Sequence, residues 1–133
     1  MSIKLGKKMR RAAVAVELAV VTPVLLTMLF GIVEFGWIFT VQQGVTTAAR
    51  EGARAAVLPG ATVADVESRV ADYTQPLGLT GYVTTVACGD DGSPSGTVTV
   101  SIPYANVTLV GDYFDFCLDN LTATCSMRKE TVD

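Results

Sequence analysis

The side chains that could carry chemistry in this sequence are carboxylates and thiols, because the chain contains no histidine. Without histidine, Ser-His-Asp and Cys-His nucleophilic sites are excluded, and the commonest metal ligand is missing. Two groups of loop carboxylates lack the ligand spacing of an EF-hand calcium loop. These groups are Asp90 with Asp91, and Asp112 with Asp115 and Asp119. We interpret them as turn and surface carboxylates, and we predict no enzyme activity and no cofactor.

The three cysteines, Cys88, Cys117 and Cys125, could form one disulfide in an oxidising compartment and leave one thiol over. The predicted strands place Cys88 and Cys125 toward one end of the outer domain and Cys117 toward the other. We therefore predict the pair Cys88–Cys125, although a different strand order would change the pairing.

Glu17 and Glu34 stand near the two ends of an apolar stretch. No residue from 18 to 33 is charged. Extended through Ile38, the stretch has about 21 residues, enough at 1.5 Å per residue to cross a hydrocarbon core of roughly 30 Å. The two carboxylates are roughly 26 Å apart along a helix, so each can lie near one edge of the bilayer. The sequence predicts a transmembrane helix over residues 12–39.

Charge sets the orientation of this helix. Five basic residues precede it: Lys4, Lys7, Lys8, Arg10 and Arg11. Since the net charge is −3, the rest of the chain is acidic, which argues against nucleic-acid binding. The positive-inside rule makes residues 1–11 a basic cytoplasmic leader and places residues 40–133 outside. Phe35, Trp37 and Phe39 are typical of an outer aromatic belt.

The helix is predicted to continue beyond the membrane over residues 40–57. Small apolar residues recur there at helical spacing on one face. They are Val41, Val45, Ala48, Ala49, Gly52, Ala53 and Ala56. The Leu58-Pro59-Gly60 sequence then ends the pattern. Within the span, Pro23 removes one backbone hydrogen bond and predicts a kink or a loosened turn.

The remaining residues complete an α+β fold. Thr62 with Asp65 is typical of a helix N-terminal cap, so a short second helix is predicted over residues 62–74. Alternating apolar residues predict strands 82–88, 97–104 and 121–128. A three-stranded antiparallel sheet packed on the Ala-rich face of the long helix would bury both apolar faces.

Several segments, in this order, resemble the TadE-like family of pseudopilins. They are Ala13-Val14-Ala15-Val16-Glu17-Leu18, Pro23, Phe30-Gly31-Ile32-Val33-Glu34-Phe35-Gly36, Ala48-Ala49-Arg50-Glu51-Gly52-Ala53-Arg54 and Met127-Arg128-Lys129-Glu130. The resemblance implies a minor pilin-like component of a bacterial tight-adherence (Tad or Flp) pilus or secretion apparatus. It further implies a pilin-like outer domain, an inner-membrane location, and other pilus subunits and Tad assembly proteins as partners.

The resemblance also implies a processing site. Pilins of this type are cut by a prepilin peptidase five residues before a glutamate, which places the cut between Ala12 and Ala13, with Glu17 in the fifth position. The residue before the cut is Ala12 where the family prefers Gly, and Leu18 follows Glu17 where processed pilins favour an aromatic residue. A permanently uncleaved chain is therefore the alternative.

We expect assembly contacts along the helix. The candidate residues are Glu17, Pro23, Glu34, Arg50, Glu51 and Arg54. The alternative for Glu17 is an interfacial carboxylate near the basic leader. The alternative for the charged residues of 50–54 is a solvated face that contributes little.

Two other functions compete with pilus assembly. One is an uncleaved, single-pass, membrane-anchored binding domain outside the cytoplasm. The other is a secreted domain released from a signal peptide, but the apolar core exceeds the usual length of about 7 to 15 residues. The small residues and carboxylates within the helix favour assembly through that helix.

Overall fold

The computed structural model describes residues 3–87, 95–111 and 119–129, with side chains from residue 9 onward. Its elements are helix α1 (Ile3–Ala56), helix α2 (Val63–Thr74) and strands β1 (Val83–Ala87), β2 (Ser95–Pro103) and β3 (Asn120–Arg128), with 3-10 turns at Gln75–Leu77 and Tyr104–Asn106. The predicted α+β fold, with a long apolar helix, a short second helix and a three-stranded antiparallel sheet, is confirmed.

The chain divides into two units, Met1–Phe35 and Gly36–Asp133. In the first unit the described chain is entirely helical, and its described side chains are exposed except for the buried Glu34. Helix α1 runs through Pro23 without ending there. The proline therefore does not divide the span into two helices.

In the second unit, the predicted small-residue face of α1 is buried. All seven residues of that face, from Val41 to Ala56, are buried. A Cβ atom added to Gly52 would lie 2.8 Å from Val70 Cγ2 of α2 and 3.2 Å from Val98 Cγ1 of β2. Only a residue without a side chain permits so close an approach. The small residues thus bring α2 and the sheet into contact with the long helix.

The sheet has the order β1-β2-β3, with both pairs antiparallel. On the central strand, Val98, Val100 and Ile102 are completely buried against the helices. The opposite face carries hydroxyl pairs between β2 and β3. These are Thr97 with Ser126 at 3.2 Å, Thr99 with Thr124 at 3.0 Å and Ser101 with Thr122 at 3.2 Å. One face is therefore core and the other polar, as expected for an antiparallel sheet with a solvated side.

Helix α2 begins with the predicted cap, which is a complete capping box. The Asp65 backbone N–H donates to Thr62 Oγ1, and the Thr62 backbone N–H donates to Asp65 Oδ2 at 2.9 Å. Hydrogen bonds from the Thr62 hydroxyl and from its backbone N–H lower the pKa of Asp65 below its ordinary value. The carboxylate thus satisfies a donor that the helix itself cannot.

The predicted strand boundaries need small corrections. Strand β2 covers Ser95–Pro103 rather than 97–104, because the chain turns at Tyr104 into a 3-10 turn. The Val107 N–H closes that turn on the Tyr104 carbonyl at 2.9 Å. Strand β1 is shorter than 82–88 in its described part, and β3 begins one residue before 121. The alternation of buried and exposed side chains continues through Tyr104, which is buried, although a 3-10 turn begins at this residue.

The predicted disulfide Cys88–Cys125 stays a prediction, because Cys88 lies outside the described residues and Cys125 carries a free, half-buried thiol. Ala87 ends β1, whereas Cys125 lies on β3 beyond the intervening β2. Two strand spacings amount to roughly 9.6 Å, more than the Cα separation of about 7 Å that a disulfide spans. Pairing would require the chain after Ala87 to cross the end of β2.

Candidate functional site

The most exposed apolar surface of the molecule is the N-terminal half of α1. The helical stretch Met9–Ala56 is long and apolar enough to cross a membrane, and none of its qualifying apolar window is buried inside the structure. Thr22 and Thr27 are the only side chains with polar groups between residues 18 and 33. Their hydroxyls donate to the carbonyls of Leu18 at 2.7 Å and Pro23 at 2.8 Å. The helix thus satisfies its own polar groups, as a lipid environment requires.

The predicted processing site lies at the start of this surface. Ala12, Ala13 and Glu17 are all exposed, and all three are within α1. The described residues therefore leave the bond between Ala12 and Ala13 accessible to a peptidase, but this bond lies in helical backbone. Cleavage there requires the first turns of the helix to unwind locally.

Glu34 differs from the other candidate residues because it is completely buried. A buried carboxylate is costly unless it is hydrogen-bonded or paired. No buried side-chain nitrogen or oxygen in the described residues lacks a hydrogen-bond partner, so the carboxylate of Glu34 is satisfied. The sequence predicted that this carboxylate lies near one edge of the bilayer, which stays a prediction, but it did not predict the burial of the side chain. Direct contact with another subunit is thus better suited to the exposed candidates.

Beyond the apolar run, the back of α1 forms an exposed polar stripe. The stripe lies opposite the buried small-residue face and continues to the end of the helix. Its residues are Thr40, Gln43, Thr47, Arg50 and Arg54, all exposed. Glu51 lies beside the stripe and is half-buried. We call these five exposed residues the polar stripe of α1. No described residue covers the stripe, so another molecule can contact it.

A shallow groove of about 370 Å³ adjoins the end of this stripe. Glu51, Arg54, Ala55 and Leu58 of the first helix and turn line it, together with Arg69 of α2. Neither arginine forms an ion pair within the described residues. The groove offers two guanidinium groups beside an apolar floor, a combination that suits a carboxylate-bearing segment.

The structure brings some of the predicted residues together and leaves others apart. Arg50, Glu51 and Arg54 lie close together near the end of α1, in the outer unit. Glu17 and Pro23 belong to the first unit, so they are described separately from the residues of the outer unit. Arg69 was not predicted, because its exposed position on α2 carries no sequence signal that it shares a groove with Arg54. Within the described residues, no group of three or more potential metal ligands is present.

Comparison with known protein families gives a match in the N-terminal helix. Residues 12–54 match the model of the family described as TadE-like protein. The match confirms, over this segment, the resemblance found in the sequence. It covers the uncharged apolar run of α1 and all five residues of the polar stripe. No curated protein and no solved structure matches the chain.

Proposed function

We propose that this chain, whose residues 12–54 are TadE-like, is a pseudopilin-like structural component of a bacterial Tad or Flp pilus or secretion apparatus. It assembles through its N-terminal helix with other pilus subunits and with Tad assembly proteins. Its contacts with these partners are packing contacts and ion pairs, and they involve no cofactor.

A difference between two parts of α1 supports this proposal: one part is covered by the rest of the outer unit, and the other is apolar and exposed. The small-residue face from Val41 to Ala56 is occupied by the sheet and α2 of the same chain. The described residues give no such cover to the apolar window of the stretch that begins at Met9. The globular domain thus stabilises one part of the helix and leaves the rest apolar and exposed. This arrangement suits a subunit whose helix packs against lipid or against neighbouring helices.

The same helix supports a single-pass inner-membrane location. Residues 12–39 form the membrane span of the proposal, residues 1–11 stay in the cytoplasm, and residues 40–133 form the outer domain. The basic cluster before the span supports this orientation. The internal hydrogen bonds of Thr22 and Thr27 support insertion into lipid.

Glu17 has a specific part in the proposal. Cleavage by a prepilin peptidase between Ala12 and Ala13 would free an amine within about one turn of Glu17. In an apolar environment that amine and the Glu17 carboxylate of a neighbouring subunit form a favourable pair, because each lacks another partner there. Arg50 and Arg54 add contacts further along the helix, where solvent weakens them.

The alternative is an uncleaved, membrane-anchored binding domain. The groove lined by Arg54 and Arg69 favours it, because two guanidinium groups that form no ion pair with any described residue could hold an acidic ligand. In that case the helix is an anchor only, and residues within the span should tolerate substitution. The two functions therefore predict different effects of substituting Glu17 on assembly.

The first experiment is affinity purification of the full chain from membranes of its native host, carrying a C-terminal tag. Glu17→Leu should lose other pilus components from the purified complex. Glu67→Leu is the matched control, because Glu67 is also exposed but lies on α2. Loss with Glu17→Leu alone supports assembly through the helix. Equal recovery with both variants would favour the anchored binding domain.

The intact mass of the purified wild-type chain decides the question of processing. Loss of residues 1–12 would show pilin-type cleavage and a free amine on Ala13. A full-length chain would contradict the pairing of that amine with Glu17 and would make the protein a permanently anchored accessory subunit.

A further inference from the structure

Within the outer unit, one segment is hydrogen-bonded to Trp37 of α1. Trp37 belongs to the last turn of that run, and its Nε1–H donates to the Val107 carbonyl at 2.7 Å. Tryptophan at the end of a membrane span typically lies at the bilayer interface. If Trp37 lies at the bilayer interface, the hydrogen bond places Val107 at nearly the same depth relative to the bilayer.

The turn that contains Val107 is well fixed. The Tyr104 N–H donates to the Asp119 carbonyl at 3.1 Å, and the Tyr104 carbonyl accepts from Val107 at 2.9 Å and from Thr108 at 3.2 Å. The Thr108 hydroxyl in turn donates to the carbonyl of Gly111 at 3.2 Å. Tyr104 and Val107 are buried in the core. Residues 107–110 are thus held at a defined position by both backbone bonds and packing.

Within this fixed turn, Leu109 has 57 % of its surface exposed. Phe39, two residues after Trp37 on α1, is 67 % exposed. Both are large apolar side chains in the part of the outer unit that adjoins the end of the apolar run. Exposure of such side chains to water is unfavourable, whereas the boundary between lipid headgroups and acyl chains accepts them.

We infer that residues 107–110 form a second membrane-contacting element, which inserts the Leu109 side chain into the interface of the bilayer that α1 spans. The partner is lipid, and the contact is continuous with the membrane span. The inference rests on the proposed membrane location of residues 12–39. Its consequence is that the outer domain is held against the membrane surface by two elements, the helix and the turn after β2.

Three leucines with nearly equal exposure allow a matched test. Leu25 lies in the apolar run and is 58 % exposed, and Leu58 lies at the turn after α1 and is 57 % exposed, as is Leu109. A small environment-sensitive fluorescent amino acid is placed at one of these positions in the full-length protein. The protein is then reconstituted in phosphatidylethanolamine–phosphatidylglycerol vesicles with or without brominated acyl chains.

We expect brominated lipid to quench the probe at positions 25 and 109 but not at position 58. Quenching at 25 without quenching at 109 would overturn the inference and leave the membrane span intact. Equal quenching at 58 and 109 would also overturn it, since the domain would then lie on the membrane by another surface. Absence of quenching at 25 would remove the span, and the inference with it.

A second readout uses the unmodified protein, so that no substitution can disturb the turn. Vesicles containing a phospholipid with a diazirine on its acyl chain are irradiated, and the adducts are located by mass spectrometry. Adducts on residues 107–110 in addition to those on the span are expected. Adducts confined to residues 9–39 would overturn the inference.

Discussion

Trp37 Nε1 donates a hydrogen bond of 2.7 Å to the carbonyl oxygen of Val107, which follows it by seventy residues in the sequence. The bond ties the helix, at the start of the outer unit, to the turn that leaves the central strand. Trp37 is half-buried and packs against the core, whereas Phe39 is exposed. The aromatic residues at the end of the span therefore have different roles, and Trp37 is part of the fold.

Removal of this hydrogen bond should destabilise the outer domain. Trp37→Phe keeps an aromatic ring but leaves the Val107 carbonyl without this donor, so we expect a loss of about 1 kcal/mol in the free energy of unfolding. Urea unfolding of the detergent-solubilised protein measures the loss. Phe39→Leu, on an exposed neighbour, should change stability by less than about 0.5 kcal/mol. Equal effects of the two substitutions would show that the bond contributes nothing specific.

Close packing at Gly52 should make that position intolerant of a side chain. Gly52→Ala places a Cβ atom 2.8 Å from Val70 Cγ2 and 3.2 Å from Val98 Cγ1, so α2 or the sheet must move. We expect a loss of about 1 to 3 kcal/mol in the free energy of unfolding. Gly36→Ala is the control, because no atom lies within 4 Å of its Cβ position. Alanine there should leave stability unchanged or raise it by up to about 1 kcal/mol. Thermal unfolding of both variants checks the difference.

Local patterns predicted the helices and strands because local interactions determine them. The small-residue face from Val41 to Ala56 and the Thr62–Asp65 cap depend on neighbours in sequence, and both were found where predicted. The burial of Glu34 could not be predicted in this way, since a carboxylate beside an apolar run is typical of a membrane edge as well as of a protein interior.

Long-range geometry also explains the other differences between prediction and structure. The pattern of buried side chains reaches Tyr104, and its N–H still bonds to Asp119 in line with the β2–β3 register, but its carbonyl accepts from Val107 and so begins a 3-10 turn. The predicted disulfide Cys88–Cys125 stays a prediction, because Cys88 lies outside the described residues. The groove between Arg54 and Arg69 depends on how α2 packs on α1, which single-chain patterns do not specify.

The capping box at the start of α2 should contribute measurable stability. Thr62→Ala removes the side chain that accepts the Asp65 N–H, and we expect a loss of about 1 kcal/mol in the free energy of unfolding. Thermal unfolding at neutral pH, with Thr80→Ala as a control at an exposed position outside any helix, tests this value. No loss, or an equal loss in the control, would show that the cap is not a significant local contribution.

The same cap gives a pH dependence with a defined sign. Because the pKa of Asp65 is lower in the folded protein than its ordinary value of 3.8, the carboxylate stabilises the fold above that value. This contribution is lost as the pH falls through the lower folded-state pKa. Asp65→Asn should therefore lower the unfolding temperature at pH 7, and the difference from wild type should shrink below about pH 4. A difference that stays constant between pH 7 and pH 3 would contradict this assignment.

The exposed arginines should matter for assembly and not for folding. Arg50 and Arg54 are exposed and form no ion pair within the described residues, so replacing both with alanine should change stability by less than about 0.5 kcal/mol. The same double variant should reduce the yield of complexes with other pilus subunits. Arg69→Ala separates the two proposed surfaces, because Arg69 lines the groove but lies outside the polar stripe. A larger effect of Arg69→Ala would assign the contact to the groove.

The central claim is that the protein assembles through its N-terminal helix, and cross-linking in membranes of the native host tests it most directly. A photo-reactive amino acid is placed at Val24 in the apolar run, at Thr47 in the polar stripe, or at Thr124 on the outer face of the sheet. All three positions are exposed in the isolated chain. We expect adducts with other pilus subunits from positions 24 and 47 and none from position 124. Adducts from position 124 alone, or from no position, would contradict assembly through the helix.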